Sequence, residues 1–306
     1  MEYKESSLFG IQHIQDLFST LGLNQARHYH FSAIPILIDS RLIEIPNEDT
    51  LFVQKKLYQE LSKVELPNYY YSKRGSSYID NAFIHNGNHY ILKFDISGFF
   101  PSTSSKKVSS FFSDYLEMSH TVNNFLVAAT TVNILDLPGG NKVWKELSKI
   151  KKSSKPKHLI TGGPVSSLLS FLVNQDMFDQ LNQIAIEKKM RFSVYVDDFA
   201  FSSAIPFDHN EIYSKARQIL SRNGYQLQRK KVKYNNGNPI KLTGVILSKK
   251  GARVPNSLQH QVSRMLDNFN HGLLNEKEKK SLLGKINAIR RIKPNYLPFF
   301  DAKNLN

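Results

Sequence analysis

The chain has 306 residues, enough for about two or three packed subdomains, and no cysteine, which excludes disulfides, thiolate zinc sites and iron–sulfur clusters. Lysine and arginine outnumber aspartate and glutamate by 41 to 26, and the formal charge of +15 favours a polyanionic partner such as nucleic acid. Surfaces that aid solubility or meet acidic lipids are the alternative explanation of this charge. No apolar run could span a bilayer and the N-terminus lacks a signal-peptide core, so we expect a cytoplasmic protein without membrane contact.

The N-terminal region predicts helices followed by one β-hairpin. Residues 1–30 carry apolar side chains at helical spacing until Gly22 ends the run. Residues 33–46 predict two strands around a turn, and Arg41 begins the second strand. A helix is expected next, at about residues 51–61.

Residues 68–90 mix aromatic rings with basic side chains such as Arg74. This mixture suits stacking on bases and pairing with phosphates, although Tyr69–Tyr71 would fit a core strand equally well. The same stretch contains the sequence NAFIH, which ends at His85. For a lone histidine in such a segment we expect a structural role.

Residues 90–102, YILKFDISGFFPS, predict an apolar strand that ends at Asp95 and leads through a turn to two aromatic residues. Helices are expected over residues 105–135. Residues 137–159 break the helical pattern with glycines and then six lysines. This lysine-rich insert is either a solvated surface or a contact for RNA, and the sequence leaves both open.

Residues 160–181 predict a glycine-rich turn that feeds an amphipathic helix, with Gly162 allowing close backbone approach. The stretch RFSVYVDDFAFSS, residues 191–203, predicts two strands that meet at Asp197 and Asp198. An aspartate pair at a strand end is most often a turn with solvated side chains.

Asp95 changes that interpretation, because it ends a second apolar strand in the same way. Three carboxylates on two strand ends match the requirement of a two-metal site, in which ions about 3.5–4 Å apart bind the attacking and leaving oxygens of a phosphoryl displacement. The sequence therefore predicts that Asp95, Asp197 and Asp198 converge to bind Mg²⁺, which prefers carboxylate oxygens.

The remainder of the chain predicts a helix at residues 212–225 and a basic strand at residues 226–234. A hairpin is expected at residues 240–255, followed by two basic helices. Gly284 lies within the second helix, where glycine costs about 1 kcal/mol relative to alanine and so suggests close packing or close approach of a ligand.

In this order the motifs resemble those of reverse transcriptases. YVDD after a hydrophobic strand resembles the catalytic box of that family, FDISGFFPS its first palm motif, TGGPVSS its second and RLIEIP its fingers hairpin. NAFIH and LTG resemble hallmarks of the retron subgroup of bacterial reverse transcriptases. Three residues depart from the family pattern: Gly98 replaces a common acid, Thr161 a glutamine and Ser167 a common proline.

The resemblance assigns roles to individual residues. The metal ligands would be Asp95, Asp197, Asp198 and the backbone carbonyl of Ile96, holding two Mg²⁺ ions with Mn²⁺ as a possible substitute. Lys230, or alternatively Lys231, would protonate the departing pyrophosphate. Nucleotide contacts would come from Arg41, Ile96, Phe100, Thr161 and Gly162, with Phe100 favouring deoxynucleotides. For Arg41, an exposed position on an edge strand is an equal alternative. Nucleic-acid contacts would come from Arg74, Lys151, Lys152, Lys231, Arg264, Lys285, Arg290 and Arg291.

The fold implied is α+β, a right-hand polymerase with N-terminal helices and fingers at 1–90, a ferredoxin-like palm at 91–248 with an insert at about 105–160, and a helical thumb at 249–306. The function implied is RNA-directed DNA synthesis from dNTPs in the bacterial cytoplasm. Implied partners are a structured non-coding RNA of the msr-msd type, its single-stranded DNA product (msDNA) and an effector or toxin protein in phage defence. A defence reverse transcriptase without a retron RNA, or an RNA-binding scaffold with a decayed site, remains an alternative.

Overall fold

The computed structural model describes residues 3–151, 153–298 and 300. Its helices are α1 Ile14–Leu21, α2 Glu48–Leu61, α3 Tyr78–Phe83, α4 Phe99–Ser102, α5 Ser105–Ser110, α6 His120–Thr130, α7 Gly140–Ile150, α8 Ser166–Val173, α9 Gln175–Glu187, α10 His209–Arg222, α11 Asn256–Asn270 and α12 Glu276–Ile292. Its strands are β1 Ala33–Ile38, β2 Arg41–Pro46, β3 Tyr90–Asp95, β4 Thr131–Asn133, β5 Lys157–Leu159, β6 Arg191–Tyr195, β7 Asp198–Ser203, β8 Lys233–Asn236, β9 Ile240–Leu242, β10 Val245–Ser248 and β11 Gly251–Arg253.

The central sheet has the strand order β6-β7-β3-β8, and every neighbouring pair is antiparallel. The long connection from β3 to β6 runs through α4 to α7 with β4 and β5 and then through α8 and α9. A two-residue turn joins β6 to β7, and α10 leads from β7 towards β8. This is the βαββαβ connectivity of the ferredoxin-like fold, so the predicted palm is confirmed.

The core beneath this sheet is largely aromatic. Phe94 on β3 and Phe199 on β7 are cross-strand partners, and their rings stack with centroids 4.7 Å apart. Both side chains are almost completely buried. Burial of each ring contributes about 1.5–3 kcal/mol, and the pairing adds about 0.5–1.5 kcal/mol. The next residues along the two strands are therefore held in fixed register.

The predicted hairpin at residues 33–46 is confirmed as β1 and β2, and Asp39 and Ser40 form its turn with positive φ angles of 47° and 64°. Two consecutive positive φ angles match the twist of a two-residue hairpin. One face of the hairpin packs against neighbouring elements, while the other exposes isoleucines such as Ile34 and Ile45.

The lysine-rich insert is more ordered than its composition suggested. Residues 140–150 form α7, whose Leu147 packs with Leu42 of the hairpin and with Ile134. Apolar side chains spaced along one side of the helix make this contact, and its lysines lie on the remaining surface. Helix α6 ends at Thr130, and 131–133 form β4 rather than continuing the predicted helix, because they pair with β5.

Two further segments differ from expectation. Arg229–Lys231 form a short 3₁₀ turn, and the strand begins only at Lys233, because the backbone first follows the end of β3: Gln228 N donates to Asp95 O at 2.8 Å. The predicted 240–255 hairpin is a three-stranded meander of β9, β10 and β11.

The two C-terminal helices are confirmed as α11 and α12, which pack on each other around Val262, Leu282 and Ile286. A Cβ atom built on Gly284 meets no atom within 4 Å among the described residues, so the first explanation of this glycine, close packing, is wrong, while close approach of a ligand stays a prediction. In the described part of the chain, every helix is too short or too polar to cross a bilayer. The predicted domain boundaries stay a prediction.

Candidate active site

Asp95 is the last residue of β3, and Asp198 is the first residue of β7. They are direct partners across the two strands. Asp197 occupies the turn just before β7, and its carbonyl accepts a 2.9 Å hydrogen bond from Ile96 N. The end of β3 and the start of β7 lie side by side and thus bring Asp95 together with Asp197 and Asp198, which follow it by about a hundred residues in sequence. The predicted convergence of these three residues is present in the structure.

The turn between β6 and β7 consists of Val196 and Asp197, and Val196 has φ of 58°. A two-residue turn with positive φ at its first central residue usually carries glycine there. A β-branched residue in this conformation costs of order 1–3 kcal/mol, and such strain is concentrated at functional sites. The turn presents the two aspartates at the rim of the sheet.

The site is electrostatically strained as well. Burial, together with the neighbouring Asp95 and Asp198 carboxylates, raises the pKa of Asp197 to about 6. Burial also raises the pKa of Asp198, against the opposing effect of the Lys93 ammonium. Desolvated carboxylates that repel one another are stabilised by added positive charge.

Two lysines supply part of that charge. Lys231 Nζ lies 2.6 Å from Asp95 Oδ2, and Lys93 Nζ lies 3.1 Å from Asp198 Oδ1. The angle of the Lys93 contact is not that of a hydrogen bond to Asp198 Oδ1. This oxygen is therefore buried without a hydrogen-bond partner. Lys93 was missed by sequence reasoning, although its position two residues before Asp95 puts it on the same face of the strand.

The site fits hard divalent cations, because its donors are carboxylate oxygens. Asp198 Oδ1 lacks a hydrogen-bond partner, and the pKa of Asp197 is raised. Among the described residues, no group of three acidic, imidazole or thiol side chains already surrounds one point in space. Binding of metal would therefore require Asp95 and Asp198 to exchange their lysine partners for cations.

A cavity of about 490 Å³ opens on one side of the acids. Its lining combines the three carboxylates with cationic and aromatic side chains, and includes Arg41, Ile96, Phe100, Lys151, Thr161 and Lys231. The structure therefore groups four of the five predicted nucleotide contacts around one space. The fifth, Gly162, lies behind it, where an added Cβ would be 2.0 Å from the carbonyl oxygen of Glu44.

Lys151, predicted to contact nucleic acid, lines this cavity. Burial and the nearby Lys231 ammonium lower the pKa of Lys151. It lies beside Gly98, where an added Cβ would approach the Lys151 side chain to 3.5 Å. Lys152 lies outside the described residues.

A larger cavity, of about 860 Å³, opens on the other side of the aspartates. Lys230 lines this second cavity, while Lys231 lines both. Four further residues of the second cavity are basic or hydroxylated: Lys233, Lys241 and Tyr195 come from three strands, and Thr243 comes from the turn between β9 and β10. Of the two lysines considered as proton donors, Lys231 is the one placed beside Asp95 and the first cavity.

The remaining predicted nucleic-acid contacts fall into two groups. Arg74 and Arg264 are exposed and Lys285 is half-buried. Arg290 and Arg291, however, have partners within the protein. Arg290 donates to backbone carbonyls of the C-terminal segment, including that of Tyr296, and Arg291 of α12 binds Asp80 and donates to Ser77 Oγ at 2.8 Å.

The two motifs that resemble retron hallmarks contact each other. Thr243 of LTG donates from its hydroxyl to the carbonyl oxygen of Tyr78 at 2.8 Å, and Asn81 of NAFIH donates to Thr243 Oγ1 at 3.2 Å. His85 is fully buried between the hydroxyls of Ser202 and Ser193, at 2.6 and 2.8 Å. Burial lowers the pKa of His85 to about 3, consistent with its expected structural role.

Residues 37–247, more than half of the chain, match the family model described as reverse transcriptase (RNA-dependent DNA polymerase). The chain is 27% identical over 165 residues to the Retron Se72 reverse transcriptase of Salmonella heidelberg (strain 579083-10), covering 53% of this chain and 38% of that protein. It is 21% identical over 263 residues to the Retron Ec48 reverse transcriptase of Escherichia coli, covering 78% and 58% respectively. The chain thus spans less than two thirds of either relative.

Among solved structures, apo telomerase from Candida tropicalis superposes with a TM-score of 0.50 at 11% identity, covering 90% of this chain and 59% of that one. At this identity the similarity concerns the fold alone, which is the right-hand polymerase fold expected from the sequence. The family match, together with the convergence of Asp95, Asp197 and Asp198, gives the conclusion that the chain belongs to the reverse transcriptase family and is similar to its retron members.

Proposed function

We propose that the protein is an RNA-directed DNA polymerase of retron type that acts by two-metal nucleotidyl transfer. The observation that carries the proposal is the convergence of three carboxylates at the mouth of a cavity whose other walls carry cations. Carboxylates bind the metals and cations bind phosphates, so this arrangement suits a nucleoside triphosphate with its α-phosphate at the acids.

In the proposed reaction the primer hydroxyl attacks the α-phosphorus of a dNTP. One P–O bond forms, the α–β P–O bond breaks, and pyrophosphate leaves. Two Mg²⁺ ions held by Asp95, Asp197, Asp198 and the Ile96 carbonyl would lower the pKa of the attacking hydroxyl and stabilise the charge on the leaving oxygens. Lys231 would give a proton to the pyrophosphate, and its contact with Asp95 and its position in the lining of the same cavity support this role.

The other residues that line the cavity would have separate roles. Arg41 and Lys151 supply positive charge for the triphosphate. Phe100 contributes an aromatic wall beside Asp95, which would exclude a 2′-hydroxyl and favour deoxynucleotides. The second cavity, with several lysines around Tyr195 and Thr243, would hold the primer end.

A structured non-coding RNA of the msr-msd type is the proposed template, and single-stranded msDNA the proposed product. Support comes from the similarity to two retron reverse transcriptases and from the contact between NAFIH and LTG. Action in the bacterial cytoplasm and a role in phage defence with an effector protein belong to the same proposal.

The test has two arms. Purified protein is given a primed RNA template, dNTPs and Mg²⁺, and labelled DNA is measured for the wild type and for Asp197→Asn. Nucleic acid that copurifies from the native host is sequenced in parallel. We expect synthesis by the wild type only, together with one RNA-linked DNA species. Synthesis without such a species would indicate a reverse transcriptase that uses no retron RNA, and absence of synthesis in both proteins would favour an RNA-binding scaffold.

A further inference from the structure

Glu44 of β2 and His158 of β5 form an ion-pairing contact in the interior, and neither side chain has any exposed surface. Glu44 Oε1 lies 3.0 Å from His158 Nε2. The other histidine nitrogen, Nδ1, lies 2.6 Å from the carbonyl oxygen of Lys155. Polar groups so deeply buried cost several kcal/mol unless each is satisfied, so such a pair requires an explanation.

The hydrogen-bond donors and acceptors around Glu44 and His158 determine the net charge of this pair. The Lys155 carbonyl can only accept, so His158 Nδ1 carries a hydrogen. The contact between Nε2 and Oε1 then requires one further proton, on either atom. Glu44 and His158 together therefore have no net charge, which explains how they are tolerated in the interior.

The second oxygen of Glu44 binds the backbone of Thr161, a residue that lines the cavity proposed for the nucleotide. Oε2 accepts a 3.0 Å hydrogen bond from Thr161 N, and Glu44 N donates to Thr161 Oγ1 at 2.9 Å. The Glu44 carbonyl lies so close to Gly162 that no side chain would fit there. The hairpin strand β2 and the glycine-rich turn are thus joined by backbone and side-chain contacts of one residue.

Strand β2 connects the anchored Glu44 to the cavity. Successive side chains of β2 alternate, so that Leu42 and Glu44 are buried while Arg41 and Ile43 face outward. Arg41, Ile43 and Thr161 all line the cavity proposed for the nucleotide. Anchoring Glu44 to Thr161 therefore fixes the spacing between Thr161 and Arg41, which is three residues before Glu44 on the same strand.

We infer that the Glu44–His158 pair is a positioning device for the incoming nucleotide, which sets the spacing between Arg41 and the 161–162 turn. This inference rests on the proposed polymerase function. Neither residue touches the nucleotide, so both act through Thr161 and Arg41. Their loss should therefore weaken dNTP binding more than it slows the chemical step.

The experiment compares four variants by steady-state kinetics with varied dNTP and by thermal unfolding. Glu44→Gln can donate to His158 and accept from Thr161 N, so it should keep KM for dNTP near the wild-type value. Glu44→Leu leaves His158 and Thr161 N unpaired and should raise that KM about tenfold or more, with a smaller change in kcat. His158→Leu should act in the same direction.

The double variant Glu44→Leu/His158→Leu separates positioning from stability. Replacing both polar partners with apolar groups should recover much of the lost thermal stability, but Thr161 N still lacks its acceptor, so KM should stay raised. A KM that returns to the wild-type value together with stability would overturn the inference and leave a purely structural pair.

Asn123→Leu serves as a matched control, because Asn123 is a buried polar residue that holds Ser109 of α5 to α6. It should lower stability without raising KM for dNTP. Unchanged KM in Glu44→Leu, in a wild-type preparation that does synthesise DNA, would also refute the inference. Failure of the wild type to synthesise any DNA would instead refute the proposed polymerase function.

Discussion

Asp95 and Asp198 are cross-strand partners, and one step further into the sheet Phe94 and Phe199 are stacked partners in the same register. The packed aromatic pair therefore fixes the spacing of the two carboxylates. A shift of one strand by one residue would turn its phenylalanine to the face of the sheet that now carries the acid, and would turn its acid to the aromatic core. Sheet packing thus holds these charges together against their mutual repulsion.

Asp197→Asn should abolish DNA synthesis, with a loss of at least about a thousandfold, because the substitution removes a ligand charge from the site. The same variant should be more stable than the metal-free wild type. Since the pKa of Asp197 is raised from 3.8 to about 6, the folded wild type binds more protons than the unfolded chain in that interval. Its stability therefore falls as pH rises through the interval.

Above about pH 6 the stability difference between the two proteins should reach about 1–3 kcal/mol, and it should shrink as pH falls towards 4. Chemical denaturation with chelator at several pH values measures it. An Asn variant that is less stable than the wild type at neutral pH would contradict the proposed electrostatic strain.

Lys231→Ala should reduce kcat more strongly than Lys230→Ala, because Lys231 borders the cavity proposed for the nucleotide and contacts Asp95. A proton donor typically contributes about 10²–10⁴-fold to the rate. Single-turnover incorporation by the two variants is the measurement. A larger effect of Lys230→Ala would support the assignment favoured by the sequence, and equal effects would contradict the preference for Lys231.

Lys151→Met should raise KM for dNTP by about tenfold, since Lys151 lines the cavity proposed for the nucleotide and a charged hydrogen bond contributes about 1.5–3 kcal/mol. The matched control is Lys149→Met, because Lys149 is exposed on the last turn of α7. If KM rises equally in both variants, the effect reflects overall charge rather than a specific contact.

Arg291→Gln should affect stability more than RNA binding, because its guanidinium contacts Asp80 and Ser77. The pair is partly exposed, so a double-mutant cycle with Asp80→Asn should give a coupling of about 1 kcal/mol or less. Arg264 is exposed, and Arg264→Gln should instead reduce the salt dependence of RNA binding by about one unit of slope. The reverse pattern would restore Arg291 as a nucleic-acid contact.

His85→Gln should alter the response of the protein to acid. Because burial lowers the pKa of His85 from 6.5 to about 3, the unfolded chain gains a proton that the folded chain does not bind as pH falls below 6.5. The wild type should therefore lose about 2 kcal/mol through this residue between pH 6.5 and 5. The glutamine variant should not show this loss of stability, as measured by denaturant unfolding at each pH. If the free energy of unfolding depends on pH in the same way for both proteins, the prediction is wrong.

The sequence by itself determined the elements that depend on local pattern. Alternating and continuous apolar runs predicted the strand that ends at Asp95 and the strand that begins at Asp198. Helical spacing predicted α11 and α12. The two strands needed no tertiary information, because their side chains match a buried sheet. Local pattern also predicted Arg41 at the start of β2 and the close approach at Gly162.

Only the tertiary structure decided which side chains meet. Glu44, Lys93 and His158 were not singled out by the sequence, because an isolated charged residue carries no signal of its partner far along the chain. For Lys151 and Arg291 the sequence predicted contacts with nucleic acid, and only the structure shows that Lys151 lines the cavity beside the three acids and that Arg291 contacts Asp80. The net charge can be counted from the sequence, but the partner of each charged side chain depends on how the chain packs.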